Sequence, residues 1–367
     1  MINTHLESTL NQIVTNQFSK HVISINSQTS TLHGGTVGQV SLVSGSAILQ
    51  DGTNQLFKYV LKEQKKWQRP ADPDSWRREH DLFTSNFDQF FSEEFYWPTA
   101  LATTFDDQKT EIWMEYIEGV SGNQLTLEML EKASFELGKF QSKLLKDEKL
   151  LHPFSCFLPK DFMENDFNLW HKQSYSYEYL CSDKCRIPSH VKEWVKNHYQ
   201  TANHSIEYEF LRSDACDLDP HLKQMIIDLD YRKEDVFSDI HQLPVVICHR
   251  DFWIENIFYD QGKIVVLDWD YAGYGFLGED IASLIVDETD VMMQPEYFLK
   301  LTTAYNHGLS QYSPLTWIDP RHIYEMMLIK FGYRLVQSYM FTSSVDVKED
   351  CAERLTMLYQ IGQSLDK

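Results

Sequence analysis

The spacing of apolar positions changes near residue 120. Leu6, Leu10, Ile13, Val14 and Phe18 stand at helical intervals and predict an amphipathic N-terminal helix. From Val22 the pattern becomes strand-like. Thr31 to Val40 is a glycine-rich turn between β-forming residues, and Ser41 to Leu49 continues as a strand. Asp51-Gly52 is a tight turn, and Gln55 to Lys62 is a strand that ends in lysine. Asp74 to Phe83 reads as a helix. Phe95 to Thr104 and Glu111 to Ile117 read as two further strands around the Asp106-Asp107 turn.

Beyond that point the period is helical. Leu127, Leu130, Leu137, Phe140 and Leu144 predict a long helix, Val191 to Tyr199 a second, and Leu222 to Leu229 a third. Asp319-Pro320 supplies a cap and a first helical residue for a helix through Phe341, and Cys351, Leu355, Leu358 and Ile361 predict a last one. Two apolar runs interrupt this series, Val245 to Ile247 and Ile264 to Leu267. The turn Asp260-Gln261-Gly262 between them predicts a hairpin-like pair that gathers Asp251, Asn256 and Asp268.

Composition narrows the class. The 367 residues are 43% hydrophobic and 14% aromatic, enough for one large or two medium domains with a sizeable core. No apolar run approaches 18 residues, and the first residues lack a basic and apolar leader, so a cytoplasmic protein with no membrane association is expected. The six cysteines are scattered; Cys181 and Cys185 have no second pair or histidine couplet nearby and read as structural thiols. The net charge of −21 argues against nucleic acid. It divides as −6 over residues 1–120 and −15 over the remainder, an imbalance that would attract a cationic acceptor and also keeps the protein soluble.

The stretch from Pro244 to Asp280 carries the chemistry. Moving a γ-phosphoryl group requires Mg²⁺ on the phosphate oxygens, and Mg²⁺ takes a few hard oxygen ligands, which Asn256 and Asp268 would supply. The accepting hydroxyl needs a carboxylate to orient and deprotonate it, and Asp251 fits that role. His249 reads as an orienting hydrogen-bonder and Asp280 as a structural anchor of the loop. Asp270 reads either as an aid to the metal from behind its direct ligands or as a solvated carboxylate.

The ordered set His249-x-Asp251-x-x-x-x-Asn256, Asp268-Trp269-Asp270 and Gly273 to Asp280 closely resembles the aminoglycoside phosphotransferase and choline kinase superfamily, relatives of protein kinases. The resemblance implies an α+β, protein-kinase-like two-lobed fold. It would have an N-terminal antiparallel β-sheet lobe with a helix C over 1–118 and a larger, mainly helical lobe over 119–367, joined at a hinge near residues 118–122. It also implies a nucleoside triphosphate donor, ATP or GTP, with Mg²⁺, and a small-molecule hydroxyl acceptor. Gly34, Gly35 and Gly38 match the glycine loop over the phosphates, and Lys62 matches the strand lysine that holds them. Glu79 matches the helix-C glutamate, with Glu63 and Asp81 as competitors for the lysine and Lys65, Lys66 and Arg69 as competing cations. By position Met114 lines the adenine pocket, the Glu115 carbonyl accepts and the Ile117 amide donates.

Arg250 and Glu255 depart from that family, which usually has glycine at both positions, and echo protein kinases instead. Trp253 replaces the lysine of serine/threonine kinases, and no A-P-E triplet follows, so the small-molecule kinases are the better match. A protein kinase, or a nucleotide-binding module that has lost catalysis, is the alternative. The acceptor region is expected over about 150–240, where Phe167 to Trp170 and Tyr175 to Tyr179 accompany the acidic run Glu207 to Asp219. Such a set could cage an ammonium group, though aromatics at these spacings also build cores.

Overall fold

The computed structural model describes residues 4–32, 38–67, 69, 72–146, 154–172, 176–185, 187–202, 204–287 and 289–366. The chain forms two compact units, one of residues 1–122, 154–157 and 256–272, the other of 123–153, 158–255 and 273–367. The chain therefore passes between the units several times, not only at the expected hinge.

The first unit is built on an antiparallel sheet. Helix α1 (Thr4–Phe18) precedes β1 (Val22–Thr31), β2 (Gln39–Leu49), β3 (Asn54–Lys65), α2 (Ser75–Phe83), β4 (Phe95–Tyr96), β5 (Ala100–Phe105) and β6 (Lys109–Glu115). The five-stranded order is β1-β2-β3-β6-β5, all neighbours antiparallel. Successive residues of a strand face opposite sides. In β3 this puts Phe57, Tyr59 and Leu61 into an apolar core with Leu10, Ile13 and Val14 of α1, Val43 and Trp113. Lys62 is thereby directed to the other face.

The expected strand over Phe95 to Thr104 is two pieces. Phe95 and Tyr96 leave the main sheet to pair in parallel with β9, beside the hairpin of β8 (Ile257–Asp260) and β9 (Lys263–Val266). Pro98, which lacks an N–H, stands between the two pieces. The predicted hairpin also changes partners. The turn at Asp260 to Gly262 closes β8 against β9, whereas β7 (Val245–Cys248) pairs with β10 (Gly273–Phe276) in a separate two-stranded sheet. The intervening residues form the loop at 249–253 and a short 3₁₀ turn (Ile254–Asn256).

The second unit holds α3 (Leu127–Lys146), α4 (Phe162–Lys172), α5 (Tyr177–Cys181), α6 (Ser189–His198), α7 (Ile206–Arg212), α8 (Pro220–Ile240), α9 (Glu279–Val286), α10 (Gln294–Leu309), α11 (Pro320–Met327), α12 (Tyr333–Phe341) and α13 (Val345–Leu365). Helices α3 and α10 cross so closely that a Cβ on Gly138 would strike the Tyr305 carbonyl, and one on Gly308 the Phe135 carbonyl. Helix α9 is buried at every position. The single helix expected from Asp319 to Phe341 is interrupted by a π-helical turn, Leu328–Gly332. Among the described residues no helix is long and apolar enough to cross a membrane.

Candidate active site

In the first unit Lys62 lies 2.6 Å from Glu79 Oε2 and 2.7 Å from Asp268 Oδ1. The helix explains the choice of glutamate. Trp76, Glu79 and Leu82 recur at three-residue steps on the buried face of α2, while Asp81 points aside and pairs with Arg77 at 2.9 Å. Burial alone would lower the Lys62 pKa, but the charges of Asp268, Glu79 and Asp270 outweigh it, and the ammonium is held above its ordinary value.

Asp268 stands at the end of the β8–β9 hairpin with φ 61°, a left-handed conformation that aspartate tolerates better than most side chains. The hairpin register pairs Ile257 with Val266, and the Leu267 N–H donates to the Asn256 carbonyl at 2.9 Å. Asn256 and Asp268 therefore flank the base of one hairpin. Trp269, next in the chain, is buried against Phe87, Phe91 and Trp97, and its indole N–H donates to the Val266 carbonyl at 3.1 Å. Its backbone N–H reaches Glu79 Oε1 at 3.4 Å, which ties the hairpin to α2.

Burial, together with the adjacent Asp268 charge, pushes the Asp270 carboxyl up to about 7, and Arg69 answers it at 2.9 Å. Arg69 in turn lies over the Tyr271 ring, 3.6 Å from its centroid. Arg78 donates to Asp72 at 3.0 Å and to the Asp270 carbonyl. Arg69 was visible in the sequence only as one basic residue among several. A long cation in a loop carries no signal of the carboxylate it will meet.

The donor set suits Mg²⁺. Asp268 and Asn256 offer hard oxygens, and Asp268 adds a second carboxylate beside a lysine already paired with Glu79. No group of three or more His, Cys, Asp or Glu side chains able to hold a metal occurs among the described residues.

The second unit carries the loop with Asp251. Asp280 accepts the His249 N–H at 3.0 Å and the Arg250 N–H at 2.7 Å, and the Asp251 N–H donates to His249 Nδ1 at 3.2 Å. Behind the loop, Gln141 donates to the Ile247 carbonyl at 3.1 Å and to Asp280 at 3.3 Å. Arg250, the residue that echoes protein kinases, has φ 68° and a buried guanidinium 3.2 Å from Glu279. The left-handed backbone explains why glycine would be at ease at this position.

Of the nucleotide-contact positions, Gly34 and Gly35 lie outside the described residues. A Cβ on Gly38 would come to 2.8 Å from the Glu63 carbonyl, so the chain there runs against β3. Met114 is buried in β6, the Glu115 N–H donates to the Thr99 carbonyl at 3.1 Å, and Ile117 follows the strand, half-buried. In the expected acceptor region Phe167 is buried against Phe237, and Tyr177 lies 5.4 Å from Tyr199. The Trp170 side chain and Tyr175 fall outside the described residues.

This combination of a mixed sheet unit carrying a buried lysine and a helical unit carrying the H-x-D loop defines a protein-kinase-like phosphotransferase fold. Residues 48–315 match the profile of the phosphotransferase enzyme family, and the chain belongs to that family. It is similar to ethanolamine kinase 1 of Mus musculus, 35% identical over 60 residues, 14% of this chain and 16% of that one. It is also similar to mouse ethanolamine kinase 2, 43% identical over 42 residues, 11% of each. Both matches span a small part of those enzymes. Among solved structures, choline kinase from Cryptosporidium parvum Iowa II superposes with a TM-score of 0.51 at 16% identity, over 92% of this chain and 90% of that one, and shares its fold.

Proposed function

We propose that this chain transfers the γ-phosphate of ATP or GTP to a hydroxyl of a small molecule, a cationic or polyhydroxylated one such as an amino alcohol or an aminoglycoside. The observation that carries the reading is the buried Lys62, shared between Glu79 and Asp268 at 2.6 and 2.7 Å. A buried ion pair costs desolvation and is poor evidence for stability alone. A lysine kept charged beside an extra carboxylate is what phosphate and metal binding require.

In this reading Lys62 meets the α- and β-phosphates, and the loop of Gly34, Gly35 and Gly38 covers them. Met114 lines the base pocket, with the Glu115 carbonyl and the Ile117 amide on the adenine edge. Asn256 and Asp268 hold Mg²⁺, which neutralises charge on the phosphate oxygens. Asp251 orients the acceptor hydroxyl and takes its proton. The partial likeness to ethanolamine kinases and the acidic balance of residues 121–367 support amino alcohols as the first acceptors to try.

The test is nucleotide consumption by the purified chain with Mg²⁺, alone and with ethanolamine, choline, aminoglycosides, macrolides or peptides. Stimulation by a small molecule supports the proposal. Stimulation by peptides alone would make the chain a protein kinase, and nucleotide binding without turnover would make it a lapsed binding module.

A further inference from the structure

Lys330 has no part in the reading above. It lies in the π-helical turn Leu328–Gly332 between α11 and α12. Such a turn inserts an extra residue into the helical register, re-aims the side chains around it, and is frequent at functional positions. The Lys330 ammonium donates to the Ser283 hydroxyl on α9 and lies 3.5 Å from the Arg250 carbonyl, the outer limit of a hydrogen bond.

That carbonyl belongs to the peptide joining Arg250 to Asp251. Arg250 holds a left-handed backbone without being glycine, a state that persists only where the surroundings enforce it. Its backbone N–H and one end of its guanidinium are held, while Nη1 is buried with no hydrogen-bond partner among the described residues. The N–H goes to Asp280, and the guanidinium goes to Glu279, to the Pro159 carbonyl at 2.9 Å and to the Tyr274 carbonyl. The guanidinium also lies over the Phe162 ring, 5.0 Å from its centroid. Charge balance points the same way. Glu279 and Asp280 are buried beside one another, and Arg250 alone would leave one of them without a cationic side chain opposite beyond the neighbouring His249. Lys330 is the second cation.

We propose that Lys330 is a positioning residue for the catalytic loop, holding the Arg250 carbonyl and thereby the peptide plane from which Asp251 projects. The inference rests on the reading of Asp251 as the base, but its geometric half does not need that reading. A salt-bridged surface lysine would stabilise its helix and nothing more. A positioning lysine also controls the mobility of a loop 80 residues away in the sequence.

The experiment uses the full chain with Lys330→Met, Lys330→Arg, Ser283→Ala and Asp251→Asn. Amide hydrogen exchange is followed over residues 248–253 and 279–286, with initial rates on ATP, Mg²⁺ and the best acceptor of the panel. The expectation is that Lys330→Met speeds exchange over 248–253 several-fold and lowers kcat by ~10-fold or more, as small misplacements of reacting groups do. The KM for nucleotide stays unchanged, and Lys330→Arg restores most of both effects. Ser283→Ala leaves kcat near wild type, since the contact to Arg250 survives. Unchanged exchange over 248–253 in Lys330→Met overturns the proposal, even if thermal stability falls. Should Lys330→Met not fold, Lys330→Gln serves the same comparison. If wild type and Asp251→Asn consume nucleotide alike, the kinase reading fails instead, and the exchange data still decide the clamp.

Discussion

Lys62 and Glu79 meet at 2.6 Å with both side chains almost wholly buried. Removing one member leaves the other charged in a place that water does not reach. Glu79→Ala is expected to cost ~3 kcal/mol of stability, at the low end for a broken buried pair because Asp268 still faces the lysine. Urea unfolding of the variant measures this. A cost below about 0.5 kcal/mol, typical of an exposed pair, would show that the burial is not felt.

Asp268 faces the same lysine and also stands where a metal ligand is proposed. Asp268→Ala is expected to abolish Mg²⁺-dependent turnover while the chain stays folded, because Lys62 keeps Glu79 as its partner. Titrating turnover and nucleotide binding with Mg²⁺ checks this. A variant with wild-type Mg²⁺ dependence would remove Asp268 from the metal site.

For Asp251, the change to Asn keeps shape and most hydrogen bonding but removes the basic charge. Phosphoryl transfer should fall by ~10²–10⁴, the usual worth of a positioned general base, with the loss in kcat and little change in nucleotide KM. If the carboxylate only steadied the loop, the variant would melt earlier and turn over normally in its folded fraction. Melting temperature and kcat measured on the one protein separate these outcomes.

Glu207, in the first turn of α7, is buried, with Gln337 the polar side chain that faces its carboxyl. Burial pushes its pKa from 4.5 up to about 7. The native state therefore holds a proton that the unfolded chain releases earlier, and this group's contribution to stability falls as pH rises from about 4.5 to about 7. Glu207→Gln should match the parent at pH near 5 and exceed it by ~1–3 kcal/mol near pH 8, the usual cost of an uncompensated buried polar group. Urea unfolding at the two pH values decides it; equal stability at both would mean that the carboxylate is solvated.

Much of this arrangement is legible before any coordinates are known. The alternation in Gln55 to Lys62 already sets Lys62 opposite Phe57, Tyr59 and Leu61, and the three-residue steps of α2 already put Glu79 with Trp76 and Leu82. Both are consequences of local periodicity. Pairing is a different matter. Ile257 to Asp260 is too short and too polar at its end to announce itself as a strand, and Gly273 and Gly275 weaken any strand signal up to Phe276. Yet Gly275 is needed because Glu279 and Cys248 occupy the space that a side chain would fill. The partners of Arg69, Arg78 and Lys330 were invisible for a third reason. Long cations on loops and helices are solvated by default, and only tertiary structure shows which of them are not.

The packing of Trp269 has a practical side. Its indole sits one residue from Asp268, inside a ring of phenylalanines and Trp97, with its N–H bound to the Val266 carbonyl. Its ultraviolet emission is therefore that of a shielded fluorophore wired by one peptide to the proposed metal ligand. Metal or nucleotide binding can then be followed as a change in emission, with Trp269→Phe subtracting the other eight tryptophans. Such a signal needs neither a known acceptor nor a completed turnover, and the donor half of the reaction becomes measurable by itself.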